Sequence, residues 1–355
     1  MSTLAPPAVP ERRLTHDPLT GRRLPRGYAF AVTAAALVLA YGLAKITPIQ
    51  GTADTLVVAV VLYLVLQTAW SISVEGSRHA RSRLATTLLY GSFLAAFIPL
   101  VAILVNVAIK GLSVMSLSFL TQSMRNVTST SSGGGIYAAI IGTVEIVGIA
   151  TILAVPIGLL VAVYLTEFGR GRLALVVSFV VDVMTGVPSI VAGLFIYSGV
   201  ILVFGLDRVG YMGALALSIL MIPIVVRSAE EMLRLVPRDL REASMALGVP
   251  HWKTVLKIVL PTAMGGIVTG VMLAIARVAG ETAPLLLTVF LSQSINYNPF
   301  VGPQATIPTF VWDQLSLGTD QAVARAWAGA LTLIVMVMLL NVVARLIARL
   351  WSIKE

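Results

Sequence analysis

The sequence predicts an all-α membrane protein, a polytopic transmembrane helical bundle of about eight spans. Three observations carry that class. Of 355 residues, 57% are hydrophobic and only 12% charged, more apolar surface than a water-soluble domain of this size can bury. Apolar runs of spanning length recur from Tyr28 to Trp351. The connections between them are alternately rich and poor in basic residues. The formal net charge of +9 would point a soluble chain toward nucleic acid. Here the basic residues sit between spans, so the reading is a membrane surface and no nucleic acid. The absence of cysteine excludes thiolate metal sites, thiol catalysis and disulfides.

In lipid every backbone group must be satisfied within the segment, so each long apolar run is one helix. The expected spans are Tyr28–Ile46, Asp54–Val74, Leu84–Ile109, Ile136–Leu165, Leu173–Phe204, Tyr211–Val226, Ala263–Val289 and Ala326–Leu350. The first follows an arginine-rich tail, residues 1–27, with no clean cleavage site after it, and is expected to be retained. The fifth run is too long for one straight span and contains Pro188. Proline lacks an N–H and disfavours helix at Val187, so a break is expected around Gly186, Pro188 and Ser189. Such a break either kinks the packing or lines a polar pathway.

Orientation follows from the loops. Arg12, Arg13, Arg22, Arg23, Arg26, Arg78, Arg81, Arg83, Arg170, Arg172, Arg227, Arg234, Arg238, Arg241, Lys253, Lys257, Arg345, Arg349 and Lys354 fall on one side. Lys45, Lys110, Arg125, Arg208 and Arg325 fall on the other. Nineteen against five, in phase with eight spans, puts both termini in the cytoplasm. Arg227, at the end of the sixth run, is expected to anchor at the interface. Outside, 111–135 is rich in Ser, Thr and Gly and is expected to be a flexible loop. The second outer segment, 292–321, carries Pro299, Pro303, Pro308, Trp312 and Asp313; it either receives a binding protein or simply packs.

The cytoplasmic stretch 227–262 favours helix by composition. It contains Glu242, Ala243 and Ser244, then Gly248, then Ile258, Leu260 and Pro261. A short surface helix is expected to end at Gly248, where a left-handed cap costs glycine little. Ala243, Ser244 and Ala246 are small enough for close approach by a partner, and Glu242 offers it a charge. No stretch has the Gly and Lys-Ser/Thr spacing of a nucleotide-binding loop, so any motor is another chain.

Arg277 is a charge inside the seventh run, where an ionised side chain costs about 2.5–3.5 kcal/mol to insert. Glu281 follows at the spacing that puts both on one helical face. The two either pair to ease insertion or use the guanidinium to bind an oxyanion, with Glu281 as competitor. Glu145 and Asp182 are expected to be buried interhelical hydrogen-bonding groups. An intramembrane hydrolase would need a base near a nucleophile, yet His16, His79 and His251 all fall in cytoplasmic segments.

The spacing across Glu242, Gly248, Ile258 and Pro261 resembles the signature loop of ABC-importer permeases, with Ser244 where alanine is usual. Residues 275–285 (IARVAGETAPL) and 186–194 (GVPSIVAGL) closely resemble the PstA family of phosphate permeases. The resemblance runs from about Leu84 to the C-terminus. It implies a type I ABC importer permease core of six spans within residues 84–355, preceded by an extra N-terminal pair, residues 28–83, suited to lipid anchoring or partner contact. It further implies a bacterial cytoplasmic-membrane subunit importing phosphate, and partners: a PstC-like permease, a PstB-like ATPase dimer and an extracytoplasmic PstS-like binding protein. No cofactor is expected in this chain; ATP and Mg would belong to the ATPase. Permeases for sulfate or molybdate, or a passive anion channel, are the alternatives.

Overall fold

The computed structural model describes residues 24–25, 27–47 and 51–351. The arginines expected in the tail 1–27, Arg12, Arg13, Arg22, Arg23 and Arg26, lie outside them, as does Lys354. The described residues form helices and connections without a strand. Two compact units divide at Ile103.

The first unit holds α1 (Tyr28–Ile46), α2 (Thr52–Glu75) and the start of α3 (Ser77–Leu112). Polar side chains at one end are spent on one another. Glu75, with its side chain 3% exposed, accepts from Arg83 at 2.5 and 2.6 Å and from the Leu24 N–H at 2.8 Å. Arg83 also lies 4.7 Å over the Tyr28 ring. Deeper in α2, the buried Gln67 donates to Thr87 at 2.7 Å.

The second unit contains the end of α3, the short α4 (Leu117–Thr121), α5 (Tyr137–Val163), α6 (Gly171–Thr185) and α7 (Ser189–Ile196). Then come α8 (Gly210–Leu235), α9 (Arg238–Ala246), α10 (His251–Thr254), α11 (Leu260–Ala279), α12 (Ala283–Thr288), α13 (Ile307–Leu317) and α14 (Asp320–Trp351). π-helical turns follow α5 (Tyr164–Phe168) and α7 (Tyr197–Leu202) and precede α11 (Val255–Val259). The core is α5 against α8. Every fourth residue of α5, Ile146, Ala150, Ala154, Gly158 and Ala162, is buried. This mostly small ridge lets Leu217, Met221 and Val225 of α8 approach closely, and a side chain at Gly158 would lie 2.8 Å from Val225 Cγ1. Between lipid-solvated helices such small-residue seams replace the hydrophobic drive available in water.

Seven described helices are long and apolar enough to cross a membrane, and the bent pair Gly171–Thr185 plus Ser189–Leu202 makes eight, as the sequence predicts. Three differences from the expected segments bear on the site. α8 runs on to Leu235, so 227–235 is helix and no part of a loop. The seventh run stops at Ala279 and restarts as α12 after Gly280. Segment 111–135, expected as a flexible loop, is not loose: it carries α4, and the buried Arg325 pins it.

Candidate functional site

Two helices break in the same manner. α6 ends at Gly186 (φ −90°, ψ −7°), Pro188 supplies the entry to α7, and the axis turns by 107°. α11 ends at Gly280 (φ −91°, ψ −3°), and α12 begins with Pro284 in its first turn. In both, glycine stops the helix and a following proline starts the next one. The two short helices pack on each other. A Cβ at Gly193 of α7 would lie 2.5 Å from Pro284 Cα and 2.9 Å from Pro284 O, so only glycine permits the approach. Segments 186–194 and 275–285, far apart in sequence, therefore meet.

Arg277 sits in the last turn of α11 and is exposed; Glu281 lies beyond the helix end and is half-buried. The buried pair expected on one helical face is not there, because the break at Gly280 takes Glu281 off that face. Among the described residues neither side chain makes a hydrogen bond or ion pair. All five guanidinium donors of Arg277 are unspent.

Arg227, expected as an interfacial anchor, spends its guanidinium on internal partners. It lies inside α8 and ties that helix to α6, donating to Ser178 O at 3.1 Å, to Ser178 Oγ at 3.0 Å, to Asp182, and to Glu230 at 2.5 Å. Glu230 is buried and accepts Arg234 with its other oxygen at 2.5 Å. Asp182 is an interhelical group but not a buried one: its side chain is 64% exposed and ion-paired, one turn before the Gly186 break. Glu145 departs from its expectation too: it is half-buried, and it accepts at 2.5 Å from Gln304, which lies in the connection before α13 and on no helix.

The surface helix expected before Gly248 is α9. Gly248 has φ +78°, a left-handed conformation that turns the chain toward α10. Glu242, Ala243 and Ala246 are exposed. Ser244 is the correction: it faces inward, 4% exposed, and shares a 2.9 Å hydrogen bond with Thr254. Ile258, Leu260 and Pro261 belong to the π turn and first turn at the foot of α11, not to α9. The inner side of α9 carries Arg241, which reaches Glu167 in the π turn after α5.

The sequence offers little warning of Arg325. Near the start of α14 and 3% exposed, it donates to Gln314 Oε1 (2.8 Å), Ser131 O (2.9 Å), Gly133 O (3.3 Å), Thr128 O (3.3 Å) and Ser129 O (3.2 Å). Gly133 and Gly134 have positive φ (111° and 79°), which curls the segment so its carbonyls converge. The sequence places Arg325 and the Ser/Thr/Gly-rich segment 111–135 on the same expected side of the spans and gives no other signal for this clamp.

Two packed helix breaks, an exposed arginine at the end of one helix and a short surface helix make up the candidate site. The sequence matches the family described as binding-protein-dependent transport system inner membrane component over residues 154–352. It is 48% identical to the phosphate transport system permease protein PstA 1 of Mycobacterium tuberculosis over 271 residues, 76% of this chain and 89% of that one. Identity to the Yersinia pestis protein named PstA is 39% over 272 residues, 76% and 90% of the two chains. The chain belongs to that inner membrane component family and, within it, to the PstA permeases. Solved structures share the fold: a bacterial alginate ABC transporter with its periplasmic protein (TM-score 0.56, 13% identity, 78% of this chain and 97% of that). The MetNI methionine ABC transporter, inward facing, also matches (TM-score 0.51, 19% identity, 67% and 100%).

Proposed function

We propose that this chain is one of two permease halves of an ATP-driven importer of inorganic phosphate, with Arg277 holding the anion in passage. The observation that carries the reading is the unspent guanidinium of Arg277 beside two packed helix breaks, where a bidentate oxyanion contact is open to it. The identity to permeases named for phosphate transport supports the substrate. Glu281, close in sequence and unpaired, is the natural competitor for the guanidinium once the anion leaves.

The chain catalyses no covalent step. A PstC-like second permease would complete the pathway, a PstS-like protein would deliver phosphate outside, and a PstB-like ATPase dimer holding ATP and Mg would dock on α9. Glu242, Ala243 and Ala246 are the exposed groups available to that dimer, and Gly248 sets the angle of the helix. Closure of the ATPase would then switch the side from which the breaks at Gly186–Ser189 and Gly280–Thr282 are reached. Both termini are assigned to the cytoplasm by the nineteen-to-five distribution of basic residues.

Uptake of labelled phosphate into ATP-loaded proteoliposomes, with all four kinds of subunit and with sulfate or molybdate as competitors, tests this. ATP-dependent uptake indifferent to both competitors is the expected result. Uptake blocked by either oxyanion overturns the substrate, and uptake without ATP overturns the importer.

A further inference from the structure

We infer that the buried ion pair between Glu167 and Arg241 is the link through which displacement of α9 reaches the spanning helices, so that both are positioning residues for transport. This rests on the reading of α9 as the surface that meets the ATPase.

α9 has two unlike faces. Glu242, Ala243 and Ala246 point to solvent and are free to meet a partner. Arg241 turns the other way, its side chain 16% exposed, and places Nε at 3.1 Å and Nη2 at 2.7 Å from one oxygen of Glu167. The same guanidinium caps α8: Nη2 donates to Leu233 O at 2.9 Å and Nη1 to Val236 O at 2.5 Å. Those carbonyls stand at the negative end of that helix, on residues that are themselves buried. One side chain thus joins α9 to α8 and to the end of α5.

Glu167 is the more constrained partner, with a side chain only 4% exposed. Its second oxygen lies 3.5 Å from Nε2 of His251 at the start of α10, and the His251 ring stands edge-on to Phe168 at 5.0 Å. A buried carboxylate cannot be left without its cation at small cost, so α9 cannot move away from α5 without either drawing Glu167 along or stranding a charge. The carboxylate is carried by a π turn, and the other tie of α9, the Ser244–Thr254 hydrogen bond, enters the chain just before a second π turn. π turns are weak points in a helix and concentrate where helices must adjust. The clasp and the Ser244–Thr254 bond together therefore join α9 to two spans at their π turns.

The test compares wild type, Glu167→Gln and Arg241→Met in the complete reconstituted complex, measuring ATP hydrolysed and phosphate imported in the same vesicles. Loss of the link should raise the ATP hydrolysed per phosphate imported by about tenfold, with the ATPase still co-purifying in full amount. A residue that only supports folding would lower assembly, hydrolysis and import together and leave that ratio unmoved, so an unchanged ratio in assembled variants overturns the inference. Should Glu167→Gln fail to assemble, Glu167→Asp keeps the charge but draws it back by one methylene, and an unchanged ratio there overturns it equally. A wild-type complex that imports no phosphate on ATP overturns the importer reading instead.

Discussion

Arg325 and Arg277 are the same side chain in opposite circumstances. Arg325 is 3% exposed and makes five hydrogen bonds, to four loop carbonyls and one amide oxygen, with no carboxylate among them. Arg277 is exposed, at a helix end, and makes none among the described residues. A guanidinium has five N–H donors and no acceptor, so the first is saturated and the second wholly available. A buried cation does not by itself mark a ligand site; what matters is whether its donors are already used. By that criterion Arg325 builds segment 111–135, while Arg277 keeps the free donors that the proposed anion contact requires.

The largest effect should come from Arg325. In Arg325→Met the converging carbonyls of Thr128, Ser129, Ser131 and Gly133 lose their donor while staying enclosed, and the expected destabilisation is about 4 kcal/mol. The fraction of protein remaining monodisperse in detergent after graded heating measures it. A variant as heat-resistant as wild type would remove the clamp and, with it, the contrast between the two arginines.

Arg277→Ala should behave the other way. Heating curves and recovery of the assembled complex are expected to match wild type, because no internal bond is lost. Phosphate import should fall about 10- to 100-fold, the value of one or two hydrogen bonds from a charged donor. Arg277→Lys keeps the charge without the planar fork and should fall between. Normal import by the assembled alanine variant would end the pathway role; heat sensitivity like that of Arg325→Met would mean that Arg277 is also structural.

These two arginines also mark what a sequence can reveal. The break at Pro188 is legible because proline changes the backbone in a way no neighbour can undo. The break at Gly280 went unseen because the apolar pattern resumes through Leu285, Leu286 and Leu287, masking a Gly-then-Pro signal carried by Gly280 and Pro284. Hence Arg277 and Glu281 were expected on one helical face. Gly248 as a helix stop was legible from the residue alone, and its φ of +78° agrees. The inward turn of Ser244 was not, since spacing places a residue on a helix without saying what stands behind it. The clamp on Arg325 was least accessible. Its acceptors are main-chain carbonyls more than 190 positions away, and every residue has one.

The smallest effect separates a saturated arginine from one that is merely buried. Gln314 contributes a single bond to Arg325, from Nε at 2.8 Å, and is itself 2% exposed. Gln314→Met keeps the volume and removes that acceptor, leaving four carbonyl bonds in place. The expected cost is about 1.5 kcal/mol, seen as a modest shift of the same heating curve, with import per assembled complex unchanged. If the five bonds act as one enclosed set, Arg325→Met in the Gln314→Met background should add less than it does alone, since the shared bond is already gone. Full additivity would mean that Gln314 holds α13 by some other contact and that the carbonyls alone satisfy the guanidinium. Lost import in Gln314→Met at normal stability would show that the outer clamp serves the pathway as well, and that donor saturation does not separate structural from transporting arginines.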